Sequence, residues 1–419
     1  MQRLPLIRLT VCLCFTVALA HAGEKPEYRT DGNPDASLSW FEPVPGEFPP
    51  EDAAHYFAGE LISFDHIERT VKLRGDRQDG RAGQDEAIEI AMLPYASIYY
   101  HNTYASLRDI PIGTHLHGLF YIRPEAERFW EMRNGELQRK SGKNGNASAE
   151  VDFTRCFRLE DDFSFLARKK QVWKIEKVEG FVPENAEDRS RSVIEQRLTA
   201  TLMQEGNPSG EPKVFDLMAS TNVFRGNGFA SLEDIRPGQL AQMNLTWVTL
   251  FGPGRVTDLW LDEESRAGAS ARQLRRHHRH IREHGIPGTV AAVNDRERVV
   301  TMTFFDSVDP ALFKELPDTN SKPLGWPTKE YNWGNVAPKG NIIVVRECLM
   351  SYDQVNDRKG GNILNIGKVP VQPGCSGVQI QVQCGILLEG FRPKKSVRFF
   401  PATWPVVSLP KEERYHGRE

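Results

Sequence analysis

The sequence predicts an all-β protein built from three small barrels in tandem, with one amphipathic helix between the second and the third. Three observations predict it. The stretch Gly59–Leu73 aligns without a gap to Gly288–Met302, sharing Gly, two apolar positions, Asp or Asn, Glu-Arg, Val and a closing apolar residue. The segment Tyr104-Ala-Ser-Leu-Arg-Asp-Ile-Pro-Ile-Gly113 returns as Phe229-Ala-Ser-Leu-Glu-Asp-Ile-Arg-Pro-Gly238, with a looser echo over 363–374. Each copy of the second segment lies between two apolar, strand-like stretches, and self-similarity of this kind marks a repeated supersecondary unit.

The elements follow in chain order. Arg3 and Arg8, an apolar run from Leu9 to Ala20 and the pattern Ala20-His21-Ala22 read as a signal peptide over 1–22. The run is about half of the ~20 residues that a membrane span requires, so the mature chain is expected to be exported, periplasmic or extracellular, with no transmembrane segment. Residues 23–54, rich in Pro and Gly, form an extended leader.

The first barrel module is expected over 55–150. Its opening hairpin carries Leu61 and Phe64 on one strand and Val71 and Leu73 on the next, with Asp65 bonding its own backbone at the turn. Ser106 caps a short helical turn, and Gly113 supplies a positive φ for re-entry into the sheet. The second module, over 151–265, repeats that turn at Ser231–Gly238, while Val172–Val178 and Ile194–Leu202 replace the opening hairpin. A basic linker helix follows over 266–285, with Leu274, His278 and Ile281 on its packing face and Gly285 as its stop. The third module spans 286–408, and 409–419 is a polar tail.

The consensus order is strand, turn, strand, variable insertion, strand, short helical turn, strand. It is similar to the five-stranded barrels of the OB type, which close on themselves and so remove exposed edges.

Composition limits the function classes. A net charge of −3 gives nucleic acid no global attraction, so it is not an expected partner. Phosphate loops, dinucleotide fingerprints, His-Glu-x-x-His and Gly-x-Ser-x-Gly elbows are absent from the sequence. The acidic clusters Glu160-Asp-Asp162 and Asp262-Glu-Glu264 read as solvated. Outside the signal peptide the cysteines are Cys156, Cys348, Cys375 and Cys384, and Cys375 and Cys384 are close enough in sequence to tie one hairpin by a disulfide.

Several residues are candidates for binding. His115 and His117 alternate onto one strand face, with His101 nearby in sequence; the second copy carries Leu240 and Gln242 instead, so the barrel does not need histidine there to fold. His277, His280 and His284 recur at helical spacing. No cofactor motif is present, and imidazole clusters of either kind suit zinc or copper. Arg275, Arg276, Arg279 and Arg282 form a basic helix surface suited to a polyanion. Tyr99 and Tyr100, and Trp326, Tyr331 and Trp333 in the long insertion, are candidate stacking platforms for a ligand. Asn146 and Asn244 match the glycosylation pattern. Repetition with divergent insertions favours an exported, noncatalytic binding or scaffold protein, its partner a cell-envelope polysaccharide or protein. A periplasmic metal-binding protein is the alternative, and an enzyme of another type comes third.

Overall fold

The computed structural model describes residues 27–76, 87–124, 130–133, 136–139, 153–181, 194–246, 254–317, 341–345, 358–384, 387, 390–401 and 403–404. The signal segment 1–22, the tail 409–419, Cys348, Asn146 and the aromatic trio Trp326, Tyr331 and Trp333 lie outside them.

Alternating apolar residues form five strands in the first barrel: β1 (His55–Asp65), β2 (Thr70–Gly75), β3 (Ile88–Tyr100), β4 (His115–Tyr121) and β5 (Arg155–Asp161). They run β1-β2-β3-β5-β4 and close from β4 back to β1, with β3 and β5 parallel and the other main pairs antiparallel. The second barrel repeats this plan with β6 (Gln171–Gly180), β7 (Ile194–Gln204), β8 (Lys213–Arg225), β9 (Leu240–Thr246) and β10 (Gly254–Trp260). Its order is β6-β7-β8-β10-β9, and again the third and fifth strands are parallel. Each barrel fills its own core, with Leu61, Leu73, Ile90, Leu116, Phe120 and Leu159 in the first and Ile175, Leu198, Leu217, Met243, Val256 and Leu259 in the second.

The third sheet departs from that plan. Strands β11 (Ile286–Asn294), β12 (Val299–Phe305), β13 (Asn341–Val345), β14 (Arg358–Lys368), β15 (Cys375–Cys384) and β16 (Ser396–Phe400) close in the order β11-β12-β15-β14-β13-β16, and all pairs are antiparallel. What it shares with the first barrel is the opening hairpin. Leu61 pairs with Leu73 and Phe64 with Val71; Val290 pairs with Met302 and Val293 with Val300. Both hairpins shift register at the same place, between Leu61 and Ser63 and between Val290 and Ala292. Both turns are bonded by their own opening residue: Asp65 Oδ1 accepts the N–H of Ile67 and Glu68, and Asn294 Oδ1 accepts that of Glu297.

The turn before the fourth strand repeats between the first two barrels. Ser106 with Asp109 and Ser231 with Asp234 form reciprocal capping boxes, and Gly113 and Gly238 follow at φ +92° and +87°. In the third sheet the corresponding stretch Ile363–Lys368 instead continues β14, and only Gly374, at φ +85°, marks the start of the next strand.

Two helices follow the fifth strands: α1 (Asp162–Arg168) after β5 and α2 (Glu263–His284) after β10. Gly285 ends α2 as expected, at φ +84°, with its N–H bonded to Ile281 O. The packing face of α2 is rotated from the expected one. Ser265, Ala269, Gln273, His277, Ile281 and His284 are buried, whereas Leu274 and His278 are half-buried. The small residues let the helix seat closely, Ala269 against Phe163 and Trp260, and the polar members of the face are invisible to an apolar periodicity. The leader is also held: Phe41 packs edge-on against Tyr121, and Phe48 lies against Tyr95 and Phe305.

The expected Cys375–Cys384 disulfide is corrected. These residues stand at opposite ends of the single strand β15, roughly 30 Å apart at the rise of an extended chain, and both are free, buried thiols.

Candidate functional site

The acidic cluster that read as solvated is buried, and it organises the junction of the first two barrels. Asp161 caps α1 by accepting the Ser164 N–H at 2.9 Å, and its other oxygen accepts the backbone N–H of His101 and the Asn244 side-chain amide. Asn244 in turn accepts the Phe163 N–H at 3.0 Å. Asn244 is 1% exposed, so its glycosylation pattern is closed to modification in the folded chain. Burial raises the Asp161 carboxyl to about 6 in spite of these donors.

Asp162, the first residue of α1, points at strand β4. Its Oδ1 lies 2.8 Å from His115 Nδ1 and 3.0 Å from His117 Nε2, while its Oδ2 accepts the Leu245 N–H from β9 at 2.9 Å. Strand alternation brings the two histidines to the same face, as the sequence predicts. Their remaining nitrogens are also held. His115 Nε2 is 2.8 Å from Asp76 Oδ2, and His117 Nδ1 is 2.7 Å from the Tyr56 hydroxyl. Phe165 of α1 stacks on the His117 ring at 3.7 Å between centroids, fixing its plane.

Charge follows from this geometry. Burial opposes protonation of His115, but Asp162 and Asp76 overcome it and raise the imidazole to about 10. Burial, together with the neighbouring His115, holds His117 below the usual histidine range. Asp162 is kept well below the carboxylate range: burial pushes it up, and the two imidazoles more than reverse that. Burial, then Asp76 and Asp162, push the Tyr56 phenol up to about 12. Nearby, Glu60 on β1 is buried, pairs with Arg74 and accepts from Thr246 of the second barrel.

The other sequence candidates separate from this cluster. His101 stacks on Tyr100 at 3.8 Å and packs edge-on to Trp260, Ser270 of α2 donates to its backbone oxygen, and it is not among the residues that converge with His115 and His117. Tyr100 is buried and Tyr99 is half-buried against Tyr104, so neither forms an open platform; their ring area is spent on packing. The helix histidines do not converge as ligands either. His277 Nε2 accepts the Asp309 N–H, and the His280 and His284 rings stack face to face at 4.0 Å. Of the basic residues, Arg275, Arg276 and Arg279 are exposed, whereas Arg282 is engaged by Glu315 at 2.6 Å.

Among the described residues, the metal-capable grouping is His115, His117 and Asp162, whose donor atoms lie within 4.8 Å of one another. Bonds of about 2.0–2.2 Å to a tetrahedral ion would set the ligand atoms roughly 3.3–3.6 Å apart, so Asp162 Oδ1, at 2.8 and 3.0 Å from the two imidazole nitrogens, would have to draw back from both to admit the ion. Sequence reasoning found both histidines and missed Asp162, Asp76 and Tyr56. One signal for Asp162 was present: Asp161-x-x-Ser164 and Asp262-x-x-Ser265 are the same helix-cap pattern, which fixes where a helix starts and which side chain follows the cap. Comparison with known proteins lends no further assignment: no family model matches this chain, and no curated protein matches it.

Proposed function

We propose that this chain is an exported binding protein that holds a divalent transition-metal ion, zinc before copper, between His115 Nδ1, His117 Nε2 and Asp162 Oδ1. One observation carries the reading. The three inner atoms converge, and each histidine has its outer nitrogen fixed, His115 by the Asp76 carboxylate and His117 by the Tyr56 hydroxyl. Outer partners of this type set the tautomer and ring orientation of metal-ligating histidines. Two imidazoles and a carboxylate suit zinc, and three protein ligands leave a coordination position for water or a ligand group.

The barrels are read as OB-type modules. The support is the strand order 1-2-3-5-4 with a parallel third and fifth strand in the first two, and a shared bulged hairpin linking the first to the third. On that reading the framework is a repeated scaffold, and the metal site is a specialisation of its first copy.

The test is metal analysis and calorimetric zinc titration of chelator-treated residues 23–419, carrying no histidine tag. The expected result is one zinc per chain, abolished in His115→Ala/His117→Ala. Because that pair is buried, His117→Gln, which copies Gln242 of the second barrel, serves as the milder variant. A folded protein that neither retains nor binds zinc or copper at micromolar concentration overturns the proposal.

A further inference from the structure

The basic face of α2 takes no part in the metal reading, and the structure redraws its membership. The helix is seated on Ala269, Gln273, His277, Ile281 and His284, all buried. Two groups on its flank are engaged within the fold, Arg282 by Glu315 and His278 by Asp309. Beyond Glu264, the residues that α2 exposes are Ala267, Ala271, Arg272, Arg275, Arg276 and Arg279. At 3.6 residues per turn the four arginines fall within an arc of about 100° and along about 10 Å of helix. None of the four makes an ion pair among the described residues. Asp109 and Asp258 share the surroundings of His101 with Arg272 and Arg276, and each is already bonded, Asp109 by Ser106 and Asp258 by Asn222. Arg275 and Arg279 are turned furthest from the buried face.

Four guanidiniums carried in a row by one helix present a ladder of forked donors, which matches carboxylate and sulfate groups. Each exposed pair contributes little alone, so a lone anion binds weakly, whereas a chain with an anion at each repeat is held through several pairs at once. The exposed arc of α2 carries no large apolar or aromatic side chain. It therefore lacks both the apolar insertion that holds an amphipathic helix on a membrane and the rings that stack unpaired bases. The net charge of −3 gives a polyanion no general attraction to the chain, which confines binding to this face. We propose that the arginine face of α2 binds an acidic polysaccharide, a chain bearing carboxylate or sulfate groups. The surface shares no residue with the metal site; the choice of a saccharide over a nucleic acid rests also on the reading of the chain as exported.

The probe is polygalacturonate, titrated into the chelator-treated mature chain at low and at moderate salt, with uncharged dextran as the control. Working without metal keeps a failure here distinct from a failure of the metal reading. Binding that weakens as salt rises is expected, and it should be at least tenfold weaker in Arg275→Gln/Arg279→Gln. Both residues are exposed, so the variant is expected to keep the fold, which far-ultraviolet dichroism checks. A second arm uses dextran sulfate: whichever polymer binds tighter identifies carboxylate or sulfate as the preferred anion. Three results overturn the proposal: polygalacturonate binding no tighter than dextran, equal affinity in the wild type and the double variant, or tighter binding of a single-stranded oligonucleotide or of phosphatidylglycerol vesicles than of either acidic polymer.

Discussion

The first and second barrels share one framework and differ in what stands on it. In both, the fourth strand follows a Ser-Leu-x-Asp capped turn, the fifth strand leads, directly or within two residues, to an aspartate that caps a helix, and that aspartate also accepts an N–H from the turn after the third strand: His101 for Asp161 and Gly226 for Asp262. At matching positions the first barrel has His115, His117 and Asp162, and the second has Leu240, Gln242 and Glu263. The side chain after the cap is buried in one and 85% exposed in the other, where Glu263 pairs with Arg266. The strand partner differs in the same sense: Glu60 lies opposite His115, while Lys174 lies opposite Leu240. The framework therefore demands the caps and the turn, and leaves the three site positions free to diverge.

The largest expected effect tests the caps. Asp161 is fully buried and serves three donors, whereas Asp262 is partly exposed. Asp161→Ala leaves buried donors without partners and is expected to destabilise by about 4 kcal/mol, against roughly 1 kcal/mol for Asp262→Ala. Denaturant midpoints of the two variants measure the difference, and equal losses would mean that the first cap is not a junction element. The next effect tests the site. Replacing His115 and His117 by Leu and Gln, the residues of the second barrel, should keep the fold by far-ultraviolet dichroism and weaken zinc binding by more than about 100-fold, beyond the loss typical of outer-shell changes.

How much of this was legible follows from what each signal encodes. The capped turn and the bulged hairpin are local, so Ser106, Asp109, Gly113 and Asp65 could be read one by one. The pairing of His115 with His117 came from strand period alone. Asp162 was misread because burial of an acidic run depends on β9 arriving from the other barrel, with Asn244 and Leu245 supplying donors from 83 residues away. Asp76 and Tyr56 reach the histidines across barrel closure, which no local pattern records. The α2 face was misjudged for a related reason: its buried His277, Gln273 and His284 are polar, and hydropathy scores them as surface.

The pH dependence of stability separates the α2 junction from the barrels. His277 stacks on Tyr104 and lies beside His278 and Asp309, and burial lowers it to about 3. The unfolded chain takes up that proton below pH ~6.5 and the folded chain does not, so stability falls as pH drops from 6.5 toward 3. At about 1.4 kcal/mol per unit of depression, a loss on the order of 2–3 kcal/mol is expected between pH 6.5 and pH 4. His277→Gln should flatten this acid limb, and an unchanged limb would assign the acid sensitivity to other groups.

The smallest effect probes the outer shell, and it discriminates most finely between a metal centre and a hydrogen-bonded network. Tyr56 is 42% exposed, and among the described residues its hydroxyl is hydrogen-bonded to the cluster through His117 Nδ1. Tyr56→Phe keeps the ring against Phe165 and removes that single contact. If His117 Nε2 ligates an ion, the hydroxyl orients the ligand, and its loss should weaken zinc binding by about tenfold, within the range for outer partners, with little change in metal-free stability. If the cluster is only a network, the same substitution should shift the thermal midpoint and leave zinc without any effect to lose. The two readings therefore move different observables in one variant, because the tyrosine acts on the metal through orientation and on the fold through a partly solvated hydrogen bond.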